Sequence, residues 1–163
     1  QSAAFPTGAN YGTVDLTQNG SFVDVLVSLS SGYRFVKTGG HDTFTFNLGG
    51  ASGYTVSNIS SSKFNWFEPA SNPGFGSFTD GLECGSCRNG GAGAQGSTLS
   101  FRVNGVSLAD FKPNTKGYFF SADIIGRTGT TGAVAAVPEP ESYALTFAGL
   151  GVVTLLAIRR NKS

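Results

Sequence analysis

Apolar side chains alternate with polar ones in several short stretches of the chain, and this period of two restricts the fold more than any other feature. Successive residues of a β-strand point to opposite faces, so alternation predicts strands with one buried face. No helical stripe of apolar residues precedes Tyr143. The clearest rows are Val23, Val25, Val27 and Leu29; Phe44, Phe46 and Leu48; Leu99, Phe101 and Val103; and Tyr118, Phe120, Ala122 and Ile124.

The residues between these rows predict how the strands are arranged. Clusters of Gly, Asn, Ser and Pro separate about seven to eight short strands. Strands with one apolar face each bury it by stacking two sheets. We therefore expect an all-β fold over residues 1–126, an antiparallel β-sandwich of jelly-roll or Greek-key type, with a closed barrel as the alternative. The 14 Phe residues would mainly fill the core.

Two Asn-Gly pairs predict tight turns. Asn19-Gly20 and Asn104-Gly105 each follow an alternating row, and this dipeptide favours the two-residue turn of a β-hairpin. The residues after the second pair have two interpretations. They form either a returning strand or a single helical turn that begins at Ser107 as N-cap and ends before Pro113.

The amino-acid composition argues against two classes of protein, nucleic-acid binders and disordered chains. Charged residues make up 13% of the chain and the net charge is +1, so there is no basic surface of the kind that nucleic-acid binders use. A hydrophobic fraction of 39% is enough to bury a core, which argues against a disordered chain. We expect a folded protein that does not bind nucleic acid.

A run of sixteen uncharged residues, 143–158, stands near the C-terminus. As a helix it would measure roughly 24 Å, and the basic residues after it would lengthen the span by snorkelling. We expect one transmembrane helix at 143–158, held by Arg159, Arg160 and Lys162 on the cytoplasmic side. A buried core helix is the alternative.

The stretch 127–136, rich in Gly, Thr and Ala, is predicted to be a linker between the β-domain and the C-terminal segment.

The residues just before this run have a distinct character. Pro138 and Pro140 flank Glu139, and prolines at this spacing favour an extended, accessible segment. The order of Pro-Glu-Pro, apolar run and terminal Arg-Arg over 137–163 resembles the PEP-CTERM sorting signal of Gram-negative bacteria. More loosely, residues 23–29, 44–48, 117–125 and 128–136 resemble a group of proteobacterial PEP-CTERM proteins with no assigned activity.

The resemblance to PEP-CTERM proteins implies a route and a partner. An exosortase-type membrane protease would recognise Pro138, Glu139 and Pro140, with Arg159 and Arg160 as the stop. The protein would be exported, held transiently at the inner membrane and then released to the cell surface or extracellular matrix. Proteins with this signal are typical of bacteria that make exopolysaccharide and biofilms, so exopolysaccharide is an expected partner.

Two cysteines three positions apart, Cys84 and Cys87, form the first candidate for chemistry. In an exported protein such a pair predicts a local disulfide that pins a turn. Half of a zinc site is the alternative, but the chain has no second cysteine pair and only one histidine, His41. We expect no metal and no cofactor.

Catalytic patterns are weak. His41 and Asp42 are adjacent, yet neighbouring strand residues point to opposite faces and would not meet. Two carboxylates suffice for glycoside hydrolysis, but the spacing of the acids singles out no pair. These acids are Asp15, Asp24, Asp42, Glu68, Asp80, Glu83, Asp110 and Asp123. We predict no catalytic residue and a protein that is not an enzyme.

Trp66 lies in the densest aromatic cluster, beside Phe64 and Phe67. Such clusters are usually core, but an exposed Trp66 would form a stacking platform for carbohydrate. The sequence therefore predicts an exported, non-enzymatic surface or extracellular-matrix protein. The alternatives are a carbohydrate-binding module, a self-assembling structural subunit and, least favoured, a hydrolase.

Overall fold

The computed structural model describes residues 5–6, 8–88 and 90–136. Within them the chain forms short β-strands and two 3-10 turns, Gly90–Ala92 and Leu108–Asp110. The strands are β1 (Gly12–Asn19), β2 (Phe22–Leu29), β3 (Arg34–Phe35), β4 (Phe44–Phe46), β5 (Thr55–Ser57), β6 (Phe64–Phe67), β7 (Ala70–Asn72), β8 (Gly76–Phe78), β9 (Asp80–Cys84), β10 (Thr98–Asn104), β11 (Phe120–Ile125) and β12 (Thr131–Ala136).

All strand pairings in the described chain are antiparallel, and they form two main sheets. The small sheet has the order β1-β2-β10-β5. The large sheet has the order β12-β11-β4-β9-β6, with β3 paired to β11. A separate two-stranded hairpin, β7-β8, is called the cover hairpin below. Most neighbours in the sheets are distant in sequence, so the chain passes repeatedly between the two layers.

The apolar rows face each other between the sheets and build the core in a sandwich-like arrangement. Phe101 of the small sheet packs against Phe44 and Phe46 of the large sheet, with ring centroids 6.0 and 5.3 Å apart. Val23, Val25 and Val27 of β2 are buried in the same cluster. Burying each such side chain contributes roughly 1.5–3 kcal/mol, which makes this inner layer the main source of stability.

The cover hairpin packs on the outer face of the large sheet. Its residues Ala70, Phe75 and Phe78 form a second buried cluster with Ala133 of β12. Ala133 pairs with Asp123 in the register of β11 and β12 and so shares its face. The large sheet is therefore covered on both sides over this region.

The predicted fold class needs correction. No helix in the described part of the chain is long and apolar enough to cross a membrane, and a β-sandwich followed by a transmembrane helix is wrong as a description of this structure. The described residues form antiparallel sheets because they alternate with period two and are interrupted by turn residues. The run 143–158 assigned to the helix lies outside the described residues.

The number of strands also differs from the seven to eight expected: the described residues contain twelve. Several of the additional strands are only two to four residues long, as in Arg34–Phe35 and Ala70–Asn72, too short to show alternation. The stretch 127–136, predicted as a linker, contains the β11–β12 turn and strand β12, which pairs with β11.

The two predicted turns have different outcomes. Asn19 pairs with Phe22 across a hairpin that joins β1 to β2, which confirms the first. After Asn104-Gly105 the chain does not return as a strand. Ser107 instead caps the 3-10 turn Leu108–Asp110, and its backbone N–H donates to Asp110 Oδ2 at 2.7 Å.

Candidate functional site

An open cavity of about 370 Å³ lies where three segments meet: the residues before β1, the β2–β3 connection and the β11–β12 turn. Loops at the ends of rigid strands are common positions for binding residues. Its walls include Phe5, Tyr11, Tyr33, Arg127 and the hydroxyl side chains of Ser31 and Thr128. We call it the aromatic cavity.

Three aromatic rings form one wall of the aromatic cavity. Tyr11 and Tyr33 are perpendicular, with centroids 5.4 Å apart. Phe5 packs edge-on against both, at 5.2 Å from Tyr11 and 6.0 Å from Tyr33. Edge-to-face packing is the favourable geometry for aromatic pairs, so each ring holds the others in place. Phe5 and Tyr11 are buried, whereas Tyr33 is half-buried and offers part of its surface to the cavity.

The Tyr11 hydroxyl is a neutral donor. It donates to the Pro6 carbonyl at 2.8 Å, which ties the N-terminal segment to the start of β1. Desolvation raises the pKa of Tyr11 above its ordinary value, and the neighbouring Tyr33 phenol raises it further. The phenol therefore stays protonated through the physiological range.

Arg127 forms the opposite side of the cavity. The turn that carries it is closed by hydrogen bonds from Gly126 N–H to Thr130 O and from Gly129 N–H to Gly126 O. Its side chain lies across Gly32, where an added Cβ would come within 2.1 Å of Arg127 Nε. Gly32 also has φ +93°, a backbone conformation that favours glycine, and a Cβ there would displace the Arg127 side chain. Arg127 Nη2 donates to Ser31 Oγ at 2.9 Å.

The charge of Arg127 is not neutralised by a neighbour. Within residues 5–6, 8–88 and 90–136 it takes part in no ion pair, and no described residue lining the cavity is acidic. The aromatic cavity thus combines apolar ring surface, hydroxyl groups and one exposed cation. Such a site can bind a ligand that is part apolar and part anionic.

A second group of polar side chains lies beside the cover hairpin. Lys37 bridges two carboxylates, Asp42 at 3.3 Å and Glu83 at close contact, and Arg88 reaches Glu83 at 3.4 Å. Asp42 Oδ2 also accepts from the Ser71 backbone N–H at 2.7 Å. The group is self-neutralising and links the loop after β3 to β9 and the hairpin. It is a structural clamp.

Asp123 is fully buried beneath this clamp. Its Oδ2 accepts from the Thr38 N–H and hydroxyl, at 2.5 and 2.7 Å. Its Oδ1 and His41 Nδ1 are buried, and neither has a hydrogen-bond partner in the described part of the chain. Burial raises the pKa of Asp123, although Thr38 and the charges of His41 and Lys37 act in the opposite direction.

His41 and Asp42 do not form a catalytic pair. Asp42 accepts from Lys37 and Ser71, and the buried His41 Nδ1 has no hydrogen-bond partner among the described residues. In the part of the chain that the structure describes, no group of three His, Cys, Asp or Glu side chains could hold a metal ion.

Trp66 is half-buried, and a hydrogen bond to Asp80 fixes its ring. Its indole N–H donates to Asp80 Oδ1 at 2.8 Å, and the Tyr54 hydroxyl donates to Asp80 Oδ2 at 3.0 Å. Trp66 packs against the main core and its ring lies 6.2 Å from that of Tyr54. Burial raises the pKa of Asp80, and the Thr79, Trp66 and Tyr54 hydrogen bonds lower it. This geometry anchors the tryptophan to the sheet. Trp66 and Tyr33 are both half-buried, and Tyr33 is the one of the two that lines the aromatic cavity.

The disulfide prediction is confirmed: Cys84 and Cys87 are bonded to each other and both are buried. The sorting residues Pro138, Glu139 and Pro140, and the basic residues Arg159, Arg160 and Lys162, lie outside the described residues.

Sequence reasoning missed the aromatic cavity. Its main residues are isolated in sequence, at the start of β1, between β2 and β3 and after β11. One signal was present: Tyr11 and Tyr33 each stand next to a glycine at the end of an alternating row, where a side chain lies at the edge of a sheet. Comparison of the chain with models of known families and with curated proteins finds no match.

Proposed function

We propose that this chain is an exported, non-enzymatic protein of the cell surface or extracellular matrix, and that it works by binding. The observation that supports export most directly is the disulfide between Cys84 and Cys87. Disulfides form and persist in oxidising compartments and are rare in the cytosol. The bond closes a turn at the end of β9, and the Cys87 carbonyl in that turn accepts from the Lys37 backbone N–H at 3.1 Å.

The route of export is proposed from the C-terminal sequence. Pro138, Glu139 and Pro140 match the recognition motif of PEP-CTERM signals, and Arg159 and Arg160 match its basic end. An exosortase-type protease is the proposed partner for this segment. Exopolysaccharide is the proposed partner for the mature protein, since exosortase substrates accompany it.

The proposed mode of action rests on the form of the described domain. Two stacked sheets and the cover hairpin give a rigid frame, and the aromatic cavity lies between loops at its edge. A rigid frame with a preformed open cavity is the arrangement of a binding domain.

Sorting is tested by producing the full protein in a Gram-negative host with an exosortase and in the same host without it. We expect a lower intact mass, corresponding to cleavage near Pro138, only where the exosortase is present. Replacing Pro138, Glu139 and Pro140 by alanine should abolish the change, whereas the neighbouring Glu141→Ala should not. The same mass in both hosts would refute the proposed sorting.

The disulfide, on which the argument for an oxidising compartment rests, is tested separately by counting free thiols in the protein recovered from the cell surface. We expect no free thiol without reductant and two free thiols per chain after reduction and unfolding, because Cys84 and Cys87 are the two cysteines of the chain. Two reactive thiols in the surface protein would remove the support that the disulfide gives.

A further inference from the structure

We infer that the aromatic cavity binds a sugar residue carrying a carboxylate, as in an acidic polysaccharide. This inference deepens the proposed function, because it names a ligand class for the binding domain. It rests on the side chains of Tyr33 and Arg127 and on the hydroxyl groups between them.

The charge of the aromatic cavity favours an anionic ligand. Arg127 is the one charged residue among the described residues lining the cavity, it is exposed, and no described carboxylate pairs with it. A guanidinium has five N–H donors, and the described contacts use one of them, to Ser31 Oγ. The others are free to form the paired hydrogen bonds that arginine makes with carboxylates.

The apolar wall of the cavity favours a ligand with an apolar face. Tyr33 is held by Phe5 and Tyr11 and leaves part of its ring exposed to the cavity. A sugar ring has apolar C–H faces as well as hydroxyl groups, so it can cover an aromatic surface while its carboxylate reaches Arg127. Inorganic phosphate or sulfate has no apolar face and would leave the wall exposed to water.

The size and the polar lining of the cavity suit a sugar. A cavity of about 370 Å³ is at the small end of the ~300–1,000 Å³ range of ligand sites, which suits one or two sugar units of a longer chain. Ser31, Thr128 and Thr130 line it, and the two threonine hydroxyls are 3.1 Å apart. Hydroxyls that both donate and accept match the hydroxyl groups of a sugar.

The test is isothermal titration of the full protein with trigalacturonic acid, with its methyl ester and with inorganic phosphate. We expect the acid to bind at least tenfold more tightly than the ester, which lacks the charge but keeps the ring faces. Phosphate should bind more weakly than the acid. Equal affinity for the acid and the ester, tighter binding of phosphate, or no binding of the acid at millimolar concentration would overturn the inference.

Variants assign the binding to this cavity. Arg127→Gln should weaken binding of the acid about tenfold and leave binding of the ester unchanged. Tyr33→Ala should weaken both, whereas Tyr33→Phe should weaken neither by more than about twofold. Arg88→Gln is the matched control, since Arg88 is an exposed arginine outside the cavity, and it should bind as the native protein does. Equal losses in Arg127→Gln and Arg88→Gln would place the binding elsewhere. Because these measurements use purified protein, they fail or succeed independently of sorting.

Discussion

The two faces of the large sheet are both buried, but they are stabilised by different interactions. The inner face carries Phe44 and Phe46, which pack on the small sheet. The outer face carries Thr45, Ser121 and Asp123, which are equally inaccessible beneath the cover hairpin and the loop after β3. An apolar face needs only close packing, whereas a buried polar face also needs a partner for each donor and acceptor.

One residue of the cover hairpin, Asn72, bonds the outer face at Ser121, whereas Asp123 receives its hydrogen bonds from Thr38. Asn72 donates through Nδ2 to Ser121 Oγ at 2.6 Å and to Asp42 O at 3.2 Å, and its Oδ1 accepts from Asp42 N–H at 3.0 Å. Ser121 Oγ in turn contacts Thr45 Oγ1 at 2.5 Å. The hairpin is therefore attached by apolar contacts at its sides and by a hydrogen-bond network at its centre.

The largest effect is expected on the inner face. Phe46→Ala should lower the free energy of unfolding by about 3–5 kcal/mol, because it removes a fully buried ring between the two sheets and leaves a cavity. Urea denaturation measures the change, and Phe46→Leu, which keeps most of the volume, is the control. A loss below about 1 kcal/mol would mean that the two sheets do not depend on this contact.

The next largest loss of stability is expected from a substitution at the centre of the outer face. Asn72→Ala should lower the free energy of unfolding by about 2 kcal/mol, since it removes the buried hydrogen bonds of Asn72 to Asp42 and Ser121 and leaves those groups with only their weaker or shared partners. The matched control is Ser71→Ala, one residue earlier on the same strand, whose side chain is exposed. If Asn72→Ala and Ser71→Ala lowered the free energy of unfolding by similar amounts, the buried hydrogen bonds of Asn72 would contribute no more to stability than an exposed side chain of the same strand.

Sequence reasoning succeeded for the inner face and failed for the outer face for a physical reason. Alternation shows which residues share a face, and it placed Phe44, Phe46 and Phe101 on apolar faces. It cannot show whether the polar face is exposed, because Thr45 and Ser121 are typical of a solvated surface. The covering element, with strands of three residues around Pro73 and Gly74, has no periodicity from which it could be predicted.

The same limit applies to the candidate site. Trp66 stood out as a platform because its neighbours in sequence are aromatic, but its orientation depends on Asp80, a residue of another strand. Tyr11, Tyr33 and Arg127 are far apart in sequence and meet only because β3 pairs with β11 and β1 with β2. The Asn19-Gly20 turn indicates the pairing of β1 with β2, but nothing in a single sequence indicates that β3 pairs with β11. The disulfide was predictable because its two cysteines are local.

A third substitution compares a buried carboxylate on the inner side with Asp123 on the outer side. Asp80 pairs with Phe46 in register, and its two oxygens accept from Trp66 and Tyr54. Trp66→Phe should cost about 1.5–2 kcal/mol, because a hydrogen bond to a buried carboxylate is lost while the aromatic ring is largely kept. Tyr54→Phe removes the other donor and should have a similar cost. An unchanged urea midpoint in Trp66→Phe would show that the indole does not stabilise Asp80.

The smallest change in stability is expected from a substitution at Asp123, and this change depends on pH. Burial raises the pKa of Asp123 above its ordinary value of about 3.8, so the folded protein binds this proton more tightly than the unfolded chain. Stability from this group is therefore greatest in acid and is lost as the pH rises through the raised pKa. In Asp123→Asn the amide oxygen can keep both Thr38 bonds, and the uncharged group removes the pH dependence. We expect the variant to gain stability relative to the native protein as the pH rises from about 4 toward neutrality.

Asp110 provides a control of opposite sign for Asp123. Hydrogen bonds from the Ser107 backbone N–H and hydroxyl lower the pKa of Asp110, so its contribution is present at neutral pH and is lost as the pH falls. Asp110→Asn should therefore be less stable than the native protein at pH 7, with a difference that shrinks in acid. Urea midpoints measured between pH 3 and pH 7 for both variants give the two slopes. Parallel curves for Asp123→Asn and the native protein would mean that folding does not change the proton affinity of Asp123, and the contrast between the two buried faces would then not extend to charge.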